Sequence, residues 1–529
     1  MTQRLSARLS IPVLALALAM SGCTVGPDFK PPVADTPGNW NDMQRAQNAT
    51  PDARAPHADA PSVASTSADP DPRWWKQFDD PMLDSLIDRA VAGNLDLQSA
   101  VLRIAQAREQ SVSAAAQGLP QISANASVMR EQLGLKGLLE SQGLYSRIDS
   151  LGANGAPIRQ GLDSATGPVT LFQDGFDASW ELDLFGRVRR SVESANAETQ
   201  AEIESRNDAL VSLEAEVART YAQLRGAQSI RQITLDEIDA EQQILDLTRE
   251  QARVGLTSQQ DVQSASAQVG ALQAQVPSLD AQIAQAMNGL AVLTGSAPGT
   301  LDAELSDARA VPPVPPTVPV GLPSTLARRR PDIRRAEAQL RAATAEVGVA
   351  VAQLYPDISL TGQVGTRATK AKYLARWSSL FWSVGPSISL PIFEGGALRS
   401  NVRVAKAQAA QAALQYRQTV LTALQDVDNA LVAYRTEQDR RAALVRTVEA
   451  NRVSLQLATD SYRKGLTAFV TVLDAERQLA QTREQLAQST VYVTTDLIAV
   501  YKSLGGGWQD DAQDGAQDGG SKNADAGNS

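Results

Sequence analysis

Two stretches of this chain carry apolar residues seven positions apart. Val262, Val269, Val276, Ile283 and Leu290 form one series, and Val472, Leu479, Leu486, Val493 and Val500 form a second, 210 positions later. A seven-residue apolar period keeps one stripe of side chains on one side of a helix, the pattern of coiled coils. Each series follows a copy of the same turn, Arg253-Val254-Gly255-Leu256-Thr257 in the first half and Arg463-Lys464-Gly465-Leu466-Thr467 in the second. Ahead of each turn the helix-breaking residues are almost absent. Arg187 to Val254 holds no proline and one glycine, and Ala397 to Lys464 holds neither. Each stretch has 68 residues, or about 100 Å as one helix. The pattern predicts two long helical hairpins, one in each of two internal repeats.

Between the helical stretches the period changes to two. Ile122, Ala124, Ala126 and Val128 alternate with Ser123, Asn125 and Ser127, and Phe176, Ala178, Trp180, Leu182 and Leu184 alternate with Asp177, Ser179, Glu181 and Asp183. The second half repeats this with Ile358, Leu360, Gly362 and Val364 against Ser359, Thr361 and Gln363. It then places Val384, Pro386, Ile388 and Leu390 against Ser387, Ser389 and Pro391. Segments of about ten residues with one apolar face fit transmembrane β-strands. Four strands cannot close a barrel, and each backbone group on an edge left open in lipid costs several kcal/mol. Three copies would supply twelve strands and close it by cyclic symmetry. The competing reading is a soluble all-α chain with four incidental alternations.

Boundaries follow from turn and composition signals. The repeats are expected at 81–310 and 324–508, joined by a Pro-rich connector at 311–323, with a polar Gly/Asp-rich tail at 509–529 expected to be disordered. A helix is predicted from Pro81 to about Gln117, with Leu83, Leu86, Ile87, Val91 and Leu95 at helical spacing. Residues 132–168 carry many Gly and Ser and read as a long exposed loop. Residues 23–80 read as an N-terminal tether, with an Ala/Pro/Asp/Ser-rich stretch at about 41–72.

Composition removes whole classes of function. The chain has 529 residues, a formal net charge of −10, one Cys and one His. One Cys leaves no disulfide framework and no Cys-based metal site, and the one His, His57, lies in an Ala/Pro/Asp-rich stretch without periodicity, so neither a His-dependent triad nor a His-containing zinc cluster is expected. No nucleophile motif or phosphate loop stands out, so no catalysis, cofactor or metal is expected. The one basic run, Arg328 to Arg335, sits at a helix start and is too short to hold a nucleic acid. The N-terminus is an address: Arg4 and Arg8, an apolar run from Leu9 to Met20, then Ser21-Gly22-Cys23. This reads as a secretory signal at 1–22, and Cys23 stands where a bacterial lipobox places the acylated residue.

Several motifs together resemble one family over nearly the whole mature chain. They are Cys23-Thr24-Val25-Gly26-Pro27-Asp28-Phe29, Trp180-Glu181-Leu182-Asp183-Leu184-Phe185-Gly186-Arg187, Arg329-Arg330-Pro331-Asp332-Ile333 and Pro391-Ile392-Phe393-Glu394-Gly395-Gly396. The chain resembles the outer-membrane lipoproteins of RND-type drug efflux systems, the OprM/NodT group. The resemblance implies the TolC-like fold, mainly α with membrane β: a homotrimeric twelve-stranded barrel over an α-helical periplasmic barrel. It implies a passive duct, lipid-anchored in the outer membrane, working with a periplasmic adaptor and an inner-membrane RND transporter. The duct of a type I protein secretion system shares the fold and is the second reading. Carried over position by position, Gly255, Leu256, Thr257, Gly465, Leu466 and Thr467 match the adaptor-facing tips. Asp261 and Tyr462 match a pair that ties neighbouring coils shut, while the Arg that TolC adds falls at Thr467. Val470 matches an apolar constriction and Asp474 a ring of carboxylates, whose second ring falls at Thr471.

Overall fold

The computed structural model describes residues 24–33, 36–48, 62–132 and 134–508. The segment expected to be a signal at 1–22, Cys23, expected to carry the lipid, and the tail at 509–529 lie outside the described residues. Two compact units form from interleaved segments. Of the described residues, one gathers 24–29, 108–196 and 341–410, and the other those within 30–107, 197–340 and 411–508.

The first unit holds four antiparallel strands: β1 (Gln121–Glu131), β2 (Val169–Glu181), β3 (Asp357–Ala368) and β4 (Leu380–Ser389), paired in that order. The register carries the alternation across the sheet. Ala124, Phe176, Val364 and Trp382 form one row, and Ile122, Ala178, Gly362 and Val384 another. Ser123, Asp177, Gln363 and Ser383 form a row on the opposite face. Apolar residues on the first face stand exposed, with Ile122 at 73%, Trp382 at 71% and Val384 at 67%. Both edge strands, β1 and β4, have one neighbour only. No helix among the described residues is long and apolar enough to cross a membrane.

Two features of this unit depart from the sequence reading. The first is where strands end: β2 runs from Val169 to Glu181 and β4 stops at Ser389, so Leu182, Leu184, Leu390 and Pro391 fall outside them. At the end of β2, Glu181 and Asp183 hold Arg187 and Arg189, which fixes the turn into the next helix. Val25 joins here, donating its N–H to the Phe185 carbonyl at 3.2 Å, and Asp28 pairs with the buried Arg190 at 2.6 Å. The second departure is the segment read as a loop at 132–168. It contains three helices, Leu135–Ser141, Leu144–Asp149 and Ala156–Thr166. They close over Tyr145 and Ile148, both buried.

The second unit is helical. Its long elements are α1 (Arg187–Arg253), α2 (Gln259–Gln273), α3 (Val276–Leu293), α4 (Ala397–Arg463) and α5 (Phe469–Ser503), of which α1 and α4 begin in the first unit. α1 and α4 each have 67 residues, in line with the paired stretches expected. The first return path breaks at Ala274–Gln275, because Pro277 lacks the N–H a continuous helix needs and starts α3 instead. The helix predicted from Pro81 to Gln117 also divides, into Pro81–Gly93 and Leu95–Ala116. Asn94 causes the break: its side chain accepts from Leu97 N–H at 3.0 Å and donates to the Leu293 carbonyl at 3.1 Å.

The expected tether and connector are parts of this unit's fold where they are described. Asn41–Asn48 is a helix, and Trp40 beside it is 1% exposed with its indole N–H on the Gly321 carbonyl. Val63–Ser65 pairs in parallel with Thr317–Pro319 of the connector. Trp74 stacks on Tyr501 at 5.1 Å within the main apolar cluster. Composition suggested solvated chain at about 41–72, but its described parts form a helix and a strand, and buried indoles on either side of it, Trp40 and Trp74, anchor the segment.

Candidate functional site at the hairpin tips

Both turns use the same backbone device. Gly255 has φ +77° and Gly465 φ +69°, a left-handed conformation that favours glycine. The Gly255 N–H donates to Ala252 O and the Leu256 N–H to Gln251 O; Gly465 and Leu466 repeat this onto Tyr462 O and Ser461 O. That is the Schellman ending of a helix, satisfying carbonyls that the last turn would leave unpaired. Leu256 and Leu466 are left 77% and 73% exposed. Neither glycine has anything within 4 Å of where a Cβ would stand, so its role is conformational rather than steric.

The polar residues that follow differ. In the first turn Ser258 caps α2: its Oγ accepts from the Asp261 N–H at 3.1 Å. The Asp261 carboxylate in return accepts from the Ser258 N–H at 3.1 Å, the Ser258 hydroxyl at 2.8 Å and the Thr257 hydroxyl at 2.7 Å. This is a capping box, and it satisfies donors at the start of the helix. The hydroxyl of Thr257 and then those donors of Ser258 hold the Asp261 carboxyl below its ordinary value, against a raising effect of burial. In the second turn the cap position is Ala468, which makes no side-chain hydrogen bond. Thr467 has its hydroxyl buried without a partner, and Thr471 stands where Asp261 stands in the first turn.

An apolar cluster replaces the cap in the second turn. Leu245 of α1, Val262, Ala265 and Val269 of α2, and Phe469, Val472 and Leu473 of α5 are buried together. Tyr462 packs against Phe469 with ring centroids 5.4 Å apart. Its hydroxyl donates to Gln251 at 2.5 Å, a bond from the second hairpin to the first. One turn further along α5, Glu476 interrupts the apolar stripe. It is 9% exposed, and Glu241 of α1 is 5% exposed; each leaves a carboxyl oxygen without a partner. Burial pushes Glu476 up to about 9, and the adjoining Glu241 carboxyl adds to this. Glu241 is raised by burial as well, against the lowering effects of its bond to Glu476 and of Arg477. Like-charged neighbours in a shielded seam favour sharing a proton over ionising separately.

The matched gate residues fall into two groups. Val470, 56% exposed, and Asp474, also exposed, lie four residues apart on one face of α5. The opposite stripe, Phe469, Val472, Leu473 and Glu476, is buried. Asp261 and Tyr462 are not bonded to each other within the chain: the carboxylate serves its cap and the hydroxyl serves Gln251. Sequence reasoning overlooked Phe469, Gln251 and the Glu241–Glu476 pair. A carboxylate at a buried helical spacing from Phe469, Val472 and Leu473 was the available signal.

Comparison with known proteins yields one consistent result. The family model described as "Outer membrane efflux protein" matches residues 86–296 and 322–506, one match in each half. "Nodulation protein T" of Rhizobium leguminosarum bv. trifolii is 31% identical over 500 residues, covering 94% of this chain and 97% of that protein. The solvent efflux pump outer membrane protein SrpC of Pseudomonas putida is 32% identical over 499 residues, covering 94% and 98%. Among solved structures, the outer-membrane channel OprN superposes with a TM-score of 0.78 at 36% identity, over 92% of this chain and 100% of that one. CusC superposes at 0.73 and 26%, over 92% and 100%. The fold is TolC-like.

Proposed function

The chain belongs to the outer membrane efflux protein family, and we propose from that premise that it is the outer-membrane channel of an RND-type tripartite efflux pump. The observation that carries this reading is the sheet with two bare edges and one exposed apolar face. Three copies pairing β1 of one with β4 of the next make twelve strands with no edge in lipid. The alternating strand directions allow that seam to be antiparallel like the others.

Orientation follows from the N-terminus. Val25, two residues after Cys23, is bonded to Phe185 beside the end of β2. An acylated Cys23 there puts that rim of the sheet at the inner leaflet and the loops at the opposite rim outside the cell. In this reading the duct is passive and its energy comes from the inner-membrane partner. A periplasmic adaptor would meet the tips at Gly255, Leu256, Thr257, Gly465, Leu466 and Thr467, and the inner-membrane transporter would drive export. Relatives named for toluene, solvent and antibiotic efflux favour small toxic molecules as cargo.

In the trimer, Val470 and Asp474 would line the narrow periplasmic opening, with three copies of each around one axis. Three carboxylates there would draw cations and resist sealing. An Asp261–Tyr462 latch would tie the two neighbouring coils together at the tip, and forming it would displace part of the cap or the Gln251 bond. A deletion strain should become sensitive to drugs and solvents with unchanged secreted proteins. Loss of one exported protein with normal drug tolerance would instead favour type I secretion. In planar bilayers, Tyr462→Phe and Asp261→Ala should raise conductance; unchanged conductance in both removes the latch.

A further inference from the structure

The insert between β1 and β2 is built more firmly than a loop needs to be. Tyr145 is 5% exposed, with its hydroxyl near Asp163 at 3.3 Å and Thr166 at 3.4 Å. Lys136 and Arg159 both lie 5.6 Å from its ring centroid. Lys136 also pairs with Asp163 at 2.8 Å, and Arg159 with Asp149, so three helices are stapled around one phenol. Against this order, two leucines of the first helix face outward: Leu135 is 41% exposed and Leu138 57%. They are three residues apart, on one side of the helix.

The loop between β3 and β4 is equally well held and equally incomplete. Two short turns, Ala371–Tyr373 and Trp377–Ser379, shape it. Arg376 lies 4.2 Å from the Tyr373 ring centroid, and the Ser379 hydroxyl donates to the Tyr373 carbonyl at 2.8 Å. Yet Trp377 is 87% exposed. A fixed loop that offers one bare indole has an unfilled contact.

Strand order supplies the partner. β1 ends and β4 begins at the same rim of the sheet, because Glu131 pairs with Val169 and Leu380 pairs with Thr366. The insert therefore leaves one bare edge at the rim where Trp377 approaches the other. Paired strands lie about 4.8 Å apart, so closing the seam brings one copy's insert beside the next copy's β3–β4 loop. We propose that the Leu135–Leu138 face of each insert receives Trp377 of the neighbouring copy, making three clasps around the outer rim. This rests on the trimeric channel reading and adds an interface to it: backbone pairing closes the barrel, and the clasp fixes which edges meet. An indole seated on two leucines is the kind of aromatic anchor that dominates interfaces.

The full-length protein, purified in detergent, tests this with Leu138→Cys and Trp377→Cys combined and oxidised with copper phenanthroline. Linked dimers and trimers on reducing-agent-free gels are expected from the double variant and from neither single one. Trp377→Ala and Leu135→Ser/Leu138→Ser should each lower the temperature at which trimers dissociate in SDS, with single-channel conductance unchanged. Trimers that form normally, give no cross-link and keep their dissociation temperature overturn the clasp and leave the channel reading standing. The same holds if a fluorophore attached to the thiol of the Trp377→Cys variant is quenched by doxyl-labelled lipid, since that position then faces membrane. Wild-type protein that never forms trimers overturns both.

Discussion

The turn at Gly255 and the turn at Gly465 follow one backbone path and are held by different chemistry. The first is secured locally: Ser258, Asp261 and Thr257 satisfy one another and the start of α2. The second has Ala468 and Thr471 in the corresponding places and relies on packing. Phe469 is 3% exposed there, where the first turn has the exposed Gln259; Tyr462 reaches across to Gln251, where the first has Ala252. A polar cap needs only its own hairpin, whereas the aromatic cluster needs the neighbouring hairpin in place. When the hairpins separate both lose this shared packing, but the first tip keeps its cap and the second has none. On the proposed reading, that asymmetry makes the second tip, which also carries Val470 and Asp474, the part expected to move.

Removing the aromatic support is the strongest way to break the comparison. Phe469→Ala should cost about 3–5 kcal/mol at the second tip, as for other buried phenylalanines. Hydrogen exchange should show protection lost around Tyr462 and α5 but kept around Ser258, and bilayer conductance should rise. Gln259→Ala should leave both readouts unchanged. Equal loss of protection in the two tips after Phe469→Ala would mean that they are not separately supported.

The buried acid pair should give the tips opposite responses to pH. Glu476 has its folded value raised to about 9 from 4.5. Its contribution is therefore complete below the unfolded value and is lost as pH rises toward the folded one. The second tip should loosen progressively between about pH 4.5 and 9, read by conductance or exchange at stepped pH. Glu476→Gln should flatten that profile; an unaltered profile would exclude the pair as its source. A smaller change is expected from the caps. Ser258→Ala should cost about 1 kcal/mol at the first tip, and Ala468→Ser with Thr471→Asp should add a similar amount to the second and reduce its opening. The smallest effect comes from acid on Asp261. Its value is lowered in the folded chain, so its contribution is present above the ordinary 3.8 and lost as pH falls below it. The first tip should loosen only there, where the second is at its tightest.

Much of this was legible because it is local. The Gly255 and Gly465 turns could be placed from one glycine each, since a left-handed residue is needed wherever a helix ends in this way. The strand rows were readable from alternation in Ile122–Val128 and Ile358–Val364, because a period of two fixes the face of every side chain. Pro277 announced a break in the first return helix that the heptad series concealed. The helices at 135–166 left no such trace: their glycines lower helix propensity, and the staple around Tyr145 comes from residues up to 21 positions away.

What the sequence determined by itself was the repeat, the hairpins, the turns and the two-faced strands, all set by backbone preferences within a few residues. Tertiary structure alone decided that Glu241 and Glu476 meet out of water, that Tyr462 binds Gln251 rather than Asp261, and that Trp40 anchors a stretch composed like a tether. Burial and pairing depend on which distant segment arrives at a side chain, and no local pattern carries that information. The two halves share a script for their shape; the differences in how each tip is held emerge only when the hairpins pack.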